Sequence, residues 1–154
     1  MQMDKNHLEL NNQICFPIYS VSRLITQAYN PLLKELGVTY PQYLVLLVLW
    51  EQDNIKIRKI SKMLMLNYNT ISPLLKRMEN NHLIERHRSN TDERSVVVSL
   101  TEKGTNLKDK AQSIPFKLLS ILTDADVDIE QIIKMRETLN DWIDILNVQK
   151  NSVS

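Results

Sequence analysis

Between residues 57 and 100 the apolar residues change period. Ile57, Ile60 and Leu64, then Ile71, Leu74, Leu75 and Met78, recur every three or four positions, the spacing of one helix face. The stretch 65–69, MLNYN, separates the two runs and is too polar at its end to continue the first helix. Asn67 or Asn69 can cap the second by accepting bonds from the free amides of its first turn, where Pro73 is also expected and disturbs little. From Ile84 the period drops to two. Ile84 to His87 and Arg94 to Leu100 are strand-like, with Val96, Val98 and Leu100 on one face and Ser95, Val97 and Ser99 on the other. Ser89-Asn90-Thr91-Asp92 supplies turn chemistry between them. A close pair of short helices followed by a hairpin is the outline of a winged helix-turn-helix.

The flanks are helical too, so the fold class is mainly α with a small β-hairpin wing. Apolar positions 14, 18, 21, 25 and 28 predict a long helix from Leu8 to Tyr29, with Pro17 as an interior flaw and Tyr29-Asn30-Pro31 as its stop. A short helix over 31–36 then ends at Gly37, and another runs from Pro41 in its first turn to Glu51. After Leu100, Thr101 is a plausible cap for a final helical region. Apolar residues recur there from Leu107 to Leu122 and from Ile129 to Leu146, and the tail after Asn147 has little to bury. These terminal helices can pack within one chain or between two, and periodicity does not separate the cases. At 154 residues a single domain is expected, with a winged-helix part at about 38–104 and terminal helices at about 8–30 and 105–149.

Net charge is only +1, but it is unevenly placed. Residues 56–94 hold nine Lys/Arg against four Asp/Glu, and the rest of the chain is net −4. Such segregation suits one face that meets phosphates, with the second helix in the major groove and a wing arginine in the minor groove of double-stranded DNA. One cysteine excludes an intramolecular disulfide framework, and the run 43–50 is far shorter than the ~20 residues of a membrane span, so a cytoplasmic protein is expected. Asp124, Asp126 and Asp128 mimic a calcium loop, but Ile129 stands where Gly is needed and Met135 where Glu is needed. His7, His82 and His87 show no metal-ligand spacing, and two glycines cannot build a phosphate-cradling loop. No metal or cofactor is implied. Trp50 and Trp142 read as core or interface residues.

The segment KISKMLMLNYNTISPLLKRMENNHLIERHRSNTDERSVVVSLTEKG resembles the winged-helix region of the MarR family, and DERSVVVSLTEKG is close to its wing signature. NQICFPIYSVSR, Tyr29 and GVTYPQYLVLLVLWE resemble the one-cysteine organic hydroperoxide resistance repressors. The resemblance implies a homodimer held by terminal helices, with Cys15 as redox sensor among Tyr19, Tyr29 and Tyr40. The chain departs from that branch at Pro17, usually a small residue, and at Asn67-Tyr68-Asn69, commonly Asp-Ser-Gly. On this reading Asn67, Tyr68, Asn69, Thr70 and Ser72 face the bases, while Lys76, Arg77, Arg86 and Arg88 meet phosphates. Arg94, oriented by Asp92, enters the minor groove.

Chemistry gives the sensor its rationale. A thiol reacts with peroxide as thiolate, and an ordinary cysteine, with pKa near ~8.5, is mostly protonated at neutral pH. Hydroxyls donated by Tyr29 and Tyr40 favour the anion, and Phe16 favours a greasy peroxide. The expected function is a repressor released when an organic hydroperoxide oxidises Cys15, with a small thiol as a possible second reactant. Two other classes compete: the same fold released by a small aromatic ligand or acting in virulence or resistance control, with Cys15 structural, and a thiol peroxidase. The peroxidase scaffold of alternating strands and helices is not legible here, so an enzyme is not expected.

Overall fold

The computed structural model describes residues 8–88 and 95–152. They form two compact units, Met1–Ile114 and Pro115–Ser154. In the first, a single 3-10 turn at Leu10–Asn12 precedes α1 (Cys15–Leu36), α2 (Tyr40–Glu51), β1 (Ile55–Lys56), α3 (Ile57–Met63), α4 (Tyr68–Asn80), β2 (Ile84–Arg88), β3 (Val96–Leu100) and α5 (Glu102–Ala111). The second contains most of α6 (Ile114–Thr123) and all of α7 (Ile129–Ser152).

The first helix differs from its sequence expectation at both ends. It starts at Cys15, so Pro17 is its third residue, where the missing amide would have had no helical acceptor. No interior flaw results. It also runs through Pro31 to Leu36, absorbing the separate helix expected at 31–36. Its real stop is Gly37, at φ 69° in the left-handed region, whose amide donates to the carbonyls of Leu33 and Lys34. Leu33, 1% exposed, anchors that last stretch in the core, and this burial outweighs the loss of one backbone bond at Pro31.

Helix α2 has no polar face over most of its length and is buried accordingly, with Tyr43, Val45, Leu46, Val48 and Leu49 all in the core. The amide of Thr39 donates to Gln42 Oε1 at its start. Around it the core collects Ile57 and Ile60 of α3 and Ile71, Leu74, Leu75 and Met78 of α4. These are the apolar positions whose spacing defined the two helices in the sequence.

The sheet is three-stranded and antiparallel in the order β1-β3-β2, with Ile55 opposite Val98, Ile84 opposite Leu100 and Arg88 opposite Val96. Two residues are too few for a period to be read, which is why β1 escaped the sequence reading. The alternation expected in β3 is also broken, because Val97 and Val98 are both buried. The second strand begins at Val96; Arg94, Asp92 and the turn at 89–92 lie outside the described residues.

In the second unit the final helical region is divided. A left-handed residue, Asp126 at φ 61°, ends the α6 side, and Asp128 Oδ1 accepts from the Glu130 amide at the start of α7. Helix α7 continues past Asn147 to Ser152, beyond the expected end. Phe116 on α6, and Ile129, Met135, Ile145, Leu146 and Val148 on α7, are all exposed. Among the described residues no single helix is long and apolar enough to cross a membrane.

Candidate DNA-reading face and thiol site

Helix α4 has two faces. Ile71, Leu74, Leu75 and Met78 are buried; Asn69, Thr70, Pro73, Lys76 and Arg77 are exposed, three or four residues apart, and Tyr68 stands out at the first position, 66% exposed. Ser72 is half-buried at the edge. The cap is Asn67, whose Oδ1 accepts from the Thr70 amide and from the Thr70 hydroxyl, both at 2.9 Å. That oxygen and the Thr70 proton are therefore committed within the helix. Pro73 falls one turn later than expected, at the sixth helical position, where it leaves the carbonyl of Asn69 without its usual helical donor.

The basic residues separate into different roles. Lys76 and Arg77 project from α4 and Arg88 from the end of β2. Arg86 is half-buried and donates from Nε, at 2.9 Å, and from Nη2 to Glu79 Oε2. The Arg86 guanidinium holds the Glu79 carboxyl below its ordinary carboxylate range. Sequence reasoning assigned no role to a cleft of about 490 Å³ where the start of α3, the start of α4 and the base of the wing meet. Lys56, Arg58, Ser61, Tyr68 and Ser95 line it. The signal was present in the charge count of 56–94, but no spacing rule distinguished these cations from those of α4.

The thiol and the phenols are placed differently. Cys15 is exposed at the first residue of α1, with Phe16 36% and Tyr19 58% exposed beside it. The Arg23 guanidinium donates to the Tyr19 hydroxyl at 3.0 Å and lies over its ring at 5.6 Å. Tyr29 and Tyr40 pack at 4.9 Å between ring centroids, and Tyr29 meets Tyr43 at 5.8 Å. Tyr43, which sequence reasoning did not single out, continues the cluster to Trp50, whose Nε1 donates to the Gly104 carbonyl. Burial, with the phenol groups of Tyr43 and Tyr40 nearby, pushes Tyr29 up to about 12. Burial also raises Tyr40, so both remain protonated hydrogen-bond donors near neutrality. Fourteen residues of unbroken helix separate Tyr29 from Cys15, about 21 Å at 1.5 Å per residue, so one chain does not bring them together.

Comparison with known proteins decides what the fold belongs to. The chain is 46% identical to the organic hydroperoxide resistance transcriptional regulator of Bacillus subtilis over 132 residues, 86% of this chain and 90% of that one. It is a MarR-family winged-helix transcriptional regulator. The family pattern of the transcriptional regulators SarA/Rot matches residues 27–111. The structure of reduced AbfR bound to DNA is 35% identical, covers 94% of this chain and 99% of that one, and superposes with a TM-score of 0.72. Disulfide-formed AbfR is likewise 35% identical, covering 90% of this chain and 96% of that one, but with a TM-score of 0.58. AbfR is a protein of Staphylococcus epidermidis. These MarR-type relatives are regulators, and so is this chain, not an enzyme.

Proposed function

We propose that this regulator is a cytoplasmic, homodimeric repressor that holds a pseudo-palindromic operator in double-stranded DNA until an organic hydroperoxide oxidises Cys15. The observation that carries the reading is the separation of a solvent-facing thiol at the start of α1 from a packed cluster of protonated phenols, Tyr29 further along α1 and Tyr40 and Tyr43 on α2. Family members act as dimers, and a second copy running antiparallel along α1 brings its Tyr29 and Tyr40 to the Cys15 end of the first. Ile14, Ile18, Val21 and Leu24, all 40% or more exposed in one chain, supply the apolar surface for that contact.

The chemistry is a two-electron displacement. The Cys15 Sγ, as thiolate, attacks one peroxide oxygen and breaks the O–O bond; the alkoxide leaves as alcohol with the thiol's proton, and the sulfur becomes a sulfenic acid. A small thiol can then condense with it, releasing water. Either product adds polar bulk between closely packed rings and forces them apart. Movement of α1 at a dimer contact changes the separation of the two α4 helices, and a coupling of a few kcal/mol is enough to empty an operator.

On DNA, Tyr68, Asn69 and Ser72 face the bases, with half-sites about one helical turn, ~10 base pairs, apart. While Asn67 caps α4, its oxygen is unavailable for paired recognition of adenine, and Asn69 takes that role. Lys76, Arg77 and Arg88 fix position on phosphates, and Arg94 with Asp92 reads the minor groove from the wing. The test is a titration of the protein on its own promoter, wild type against Cys15→Ser, with and without cumene hydroperoxide. Wild type should release DNA on oxidation while Cys15→Ser stays bound. Equal release, or none from either, would sink the peroxide reading and leave a ligand-released regulator.

A further inference from the structure

The connection from α4 to the wing is fixed from several directions. Helix α4 ends with His82 at φ 56°, the Leu83 amide on the Met78 carbonyl and the His82 amide on the Glu79 carbonyl, an arrangement that closes the last turn tightly. The elbow is then held by residues that follow β3, the strand paired with β2. Thr101 Oγ1 donates to the His82 carbonyl at 2.7 Å, Lys103 Nζ donates to the Asn81 carbonyl at 2.9 Å, and the Thr101 amide donates to the Leu83 carbonyl. Gly104 lies so close that a Cβ there would stand 2.1 Å from the Leu83 oxygen. Among these backbone contacts, one side-chain pair joins the two elements directly: Glu79, in the last turn of α4, and Arg86, in the middle of β2.

Arg86 is on the strand face that carries Ile84, which is 1% exposed, and it sits opposite the fully buried Val98. A cation at such a position has its outward reach taken up by its partner, whereas Arg88, two residues on, is exposed. We propose that Glu79 is a positioning residue for operator binding: acting through Arg86 it sets the base of the wing against the recognition helix, so that both elements meet their grooves together. Arg86 is then a strut and not a phosphate contact. The inference rests on the DNA-binding reading above and assigns these two residues a function within it.

The test uses the full-length chain and a duplex that wild type selects from random DNA. Glu79→Gln, Arg86→Gln, the double variant and the charge swap Glu79→Arg/Arg86→Glu are compared from about 50 to 200 mM KCl, the range over which phosphate contacts declare themselves as a salt slope. Thermal unfolding of each variant checks that the chain remains folded. Each single variant should weaken binding by about 10-fold and the double variant by no more than either, as expected for two residues acting as one unit. Salt slopes should match wild type, and the swap should restore binding to within about threefold although residue 86 is then an anion. The opposite pattern overturns the proposal: Arg86→Gln flattens the slope by about 0.9, as when one phosphate is no longer neutralised, Glu79→Gln binds as well as wild type, and the swap binds worst. If the single variants melt early, the swap decides alone, since an anion at 86 cannot replace a phosphate-binding arginine. Wild type that selects no duplex defeats the DNA-binding reading, and this inference with it.

Discussion

Helices α1 and α4 carry similar apolar periodicity and have opposite fates in the chain. Helix α4 buries four residues in its thirteen and turns a polar, basic face outward. Helix α1 buries only Leu33 in its twenty-two, and its first half displays Ile18, Val21 and Leu24 to solvent, as does Ile14 at its N-cap. The same pattern thus describes a helix whose apolar face its own chain covers and a helix whose apolar face its own chain leaves open. Cys15 sits on the second kind, and Tyr29 packs against Tyr40 of α2 where α1 enters the core.

The sharpest way to break the comparison is to place a charge on each apolar face. Leu75→Asp puts an unpaired carboxylate at a site with 0% exposure and should unfold the protein, since even Leu→Ala in such a core costs about 2–5 kcal/mol. Leu24→Asp should leave the chain folded by circular dichroism but monomeric by sedimentation at micromolar concentration, and unable to hold a palindromic site. A dimeric Leu24→Asp protein with wild-type DNA affinity would show that α1 is not the contact.

Next in size is the wing. Arg94→Ala should weaken operator binding by roughly 1–3 kcal/mol and lower its salt dependence, with thermal stability unchanged. An unchanged affinity and slope would remove the wing from the mechanism. The two asparagines at the start of α4 then separate folding from reading. Asn67→Ala deletes the cap and should cost about 0.5–2 kcal/mol of stability. Asn69→Ala should leave stability alone and relax the preference for an A·T-rich site in selection from random DNA. If both changed the selected site and neither the melting temperature, the division of roles would be wrong.

How far these roles could be read from the sequence differs between the two regions. The helix pair, the hairpin and the caps at Asn67 and Thr101 were legible because each depends on local spacing and on side chains close in sequence. The ends of α1 were misplaced because the helix was carried back to Leu8, which made Pro17 an interior flaw instead of a residue of the opening turn, and because Pro31 was weighed as a local breaker although burial of Leu33 overrides it. Arg86 counted as one more basic residue until Glu79, seven positions away on another element, was found beside it. The resemblance grouped Tyr19, Tyr29 and Tyr40 around Cys15, but their spacing, with Tyr19 and Tyr29 ten residues apart on α1 and Tyr40 at the start of α2, belongs to geometry that a resemblance does not carry.

The smallest effect concerns the phenols. Tyr29 has its folded pKa raised to about 12 from 10.0, so its contribution to stability is fully present below pH ~10 and is lost as pH rises through the folded value. Ultraviolet titration should show a late-ionising tyrosine that disappears in Tyr29→Phe. A titration with all tyrosines ionising together near 10 would contradict the buried cluster.

The central claim is that the thiol of one chain works with Tyr29 and Tyr40 of another, and mixed dimers test it most directly. One chain carries Cys15→Ser; the other carries Tyr29→Phe and Tyr40→Phe; two affinity tags isolate the mixed species from co-expression. If the site is shared between chains, the mixed dimer contains one intact site, and half of a wild-type complement of thiol should be oxidised by cumene hydroperoxide at the wild-type rate. If instead the mixed dimer reacts as slowly as the doubly substituted Tyr29→Phe/Tyr40→Phe homodimer, the phenols serve the thiol of their own chain or none, and the account fails.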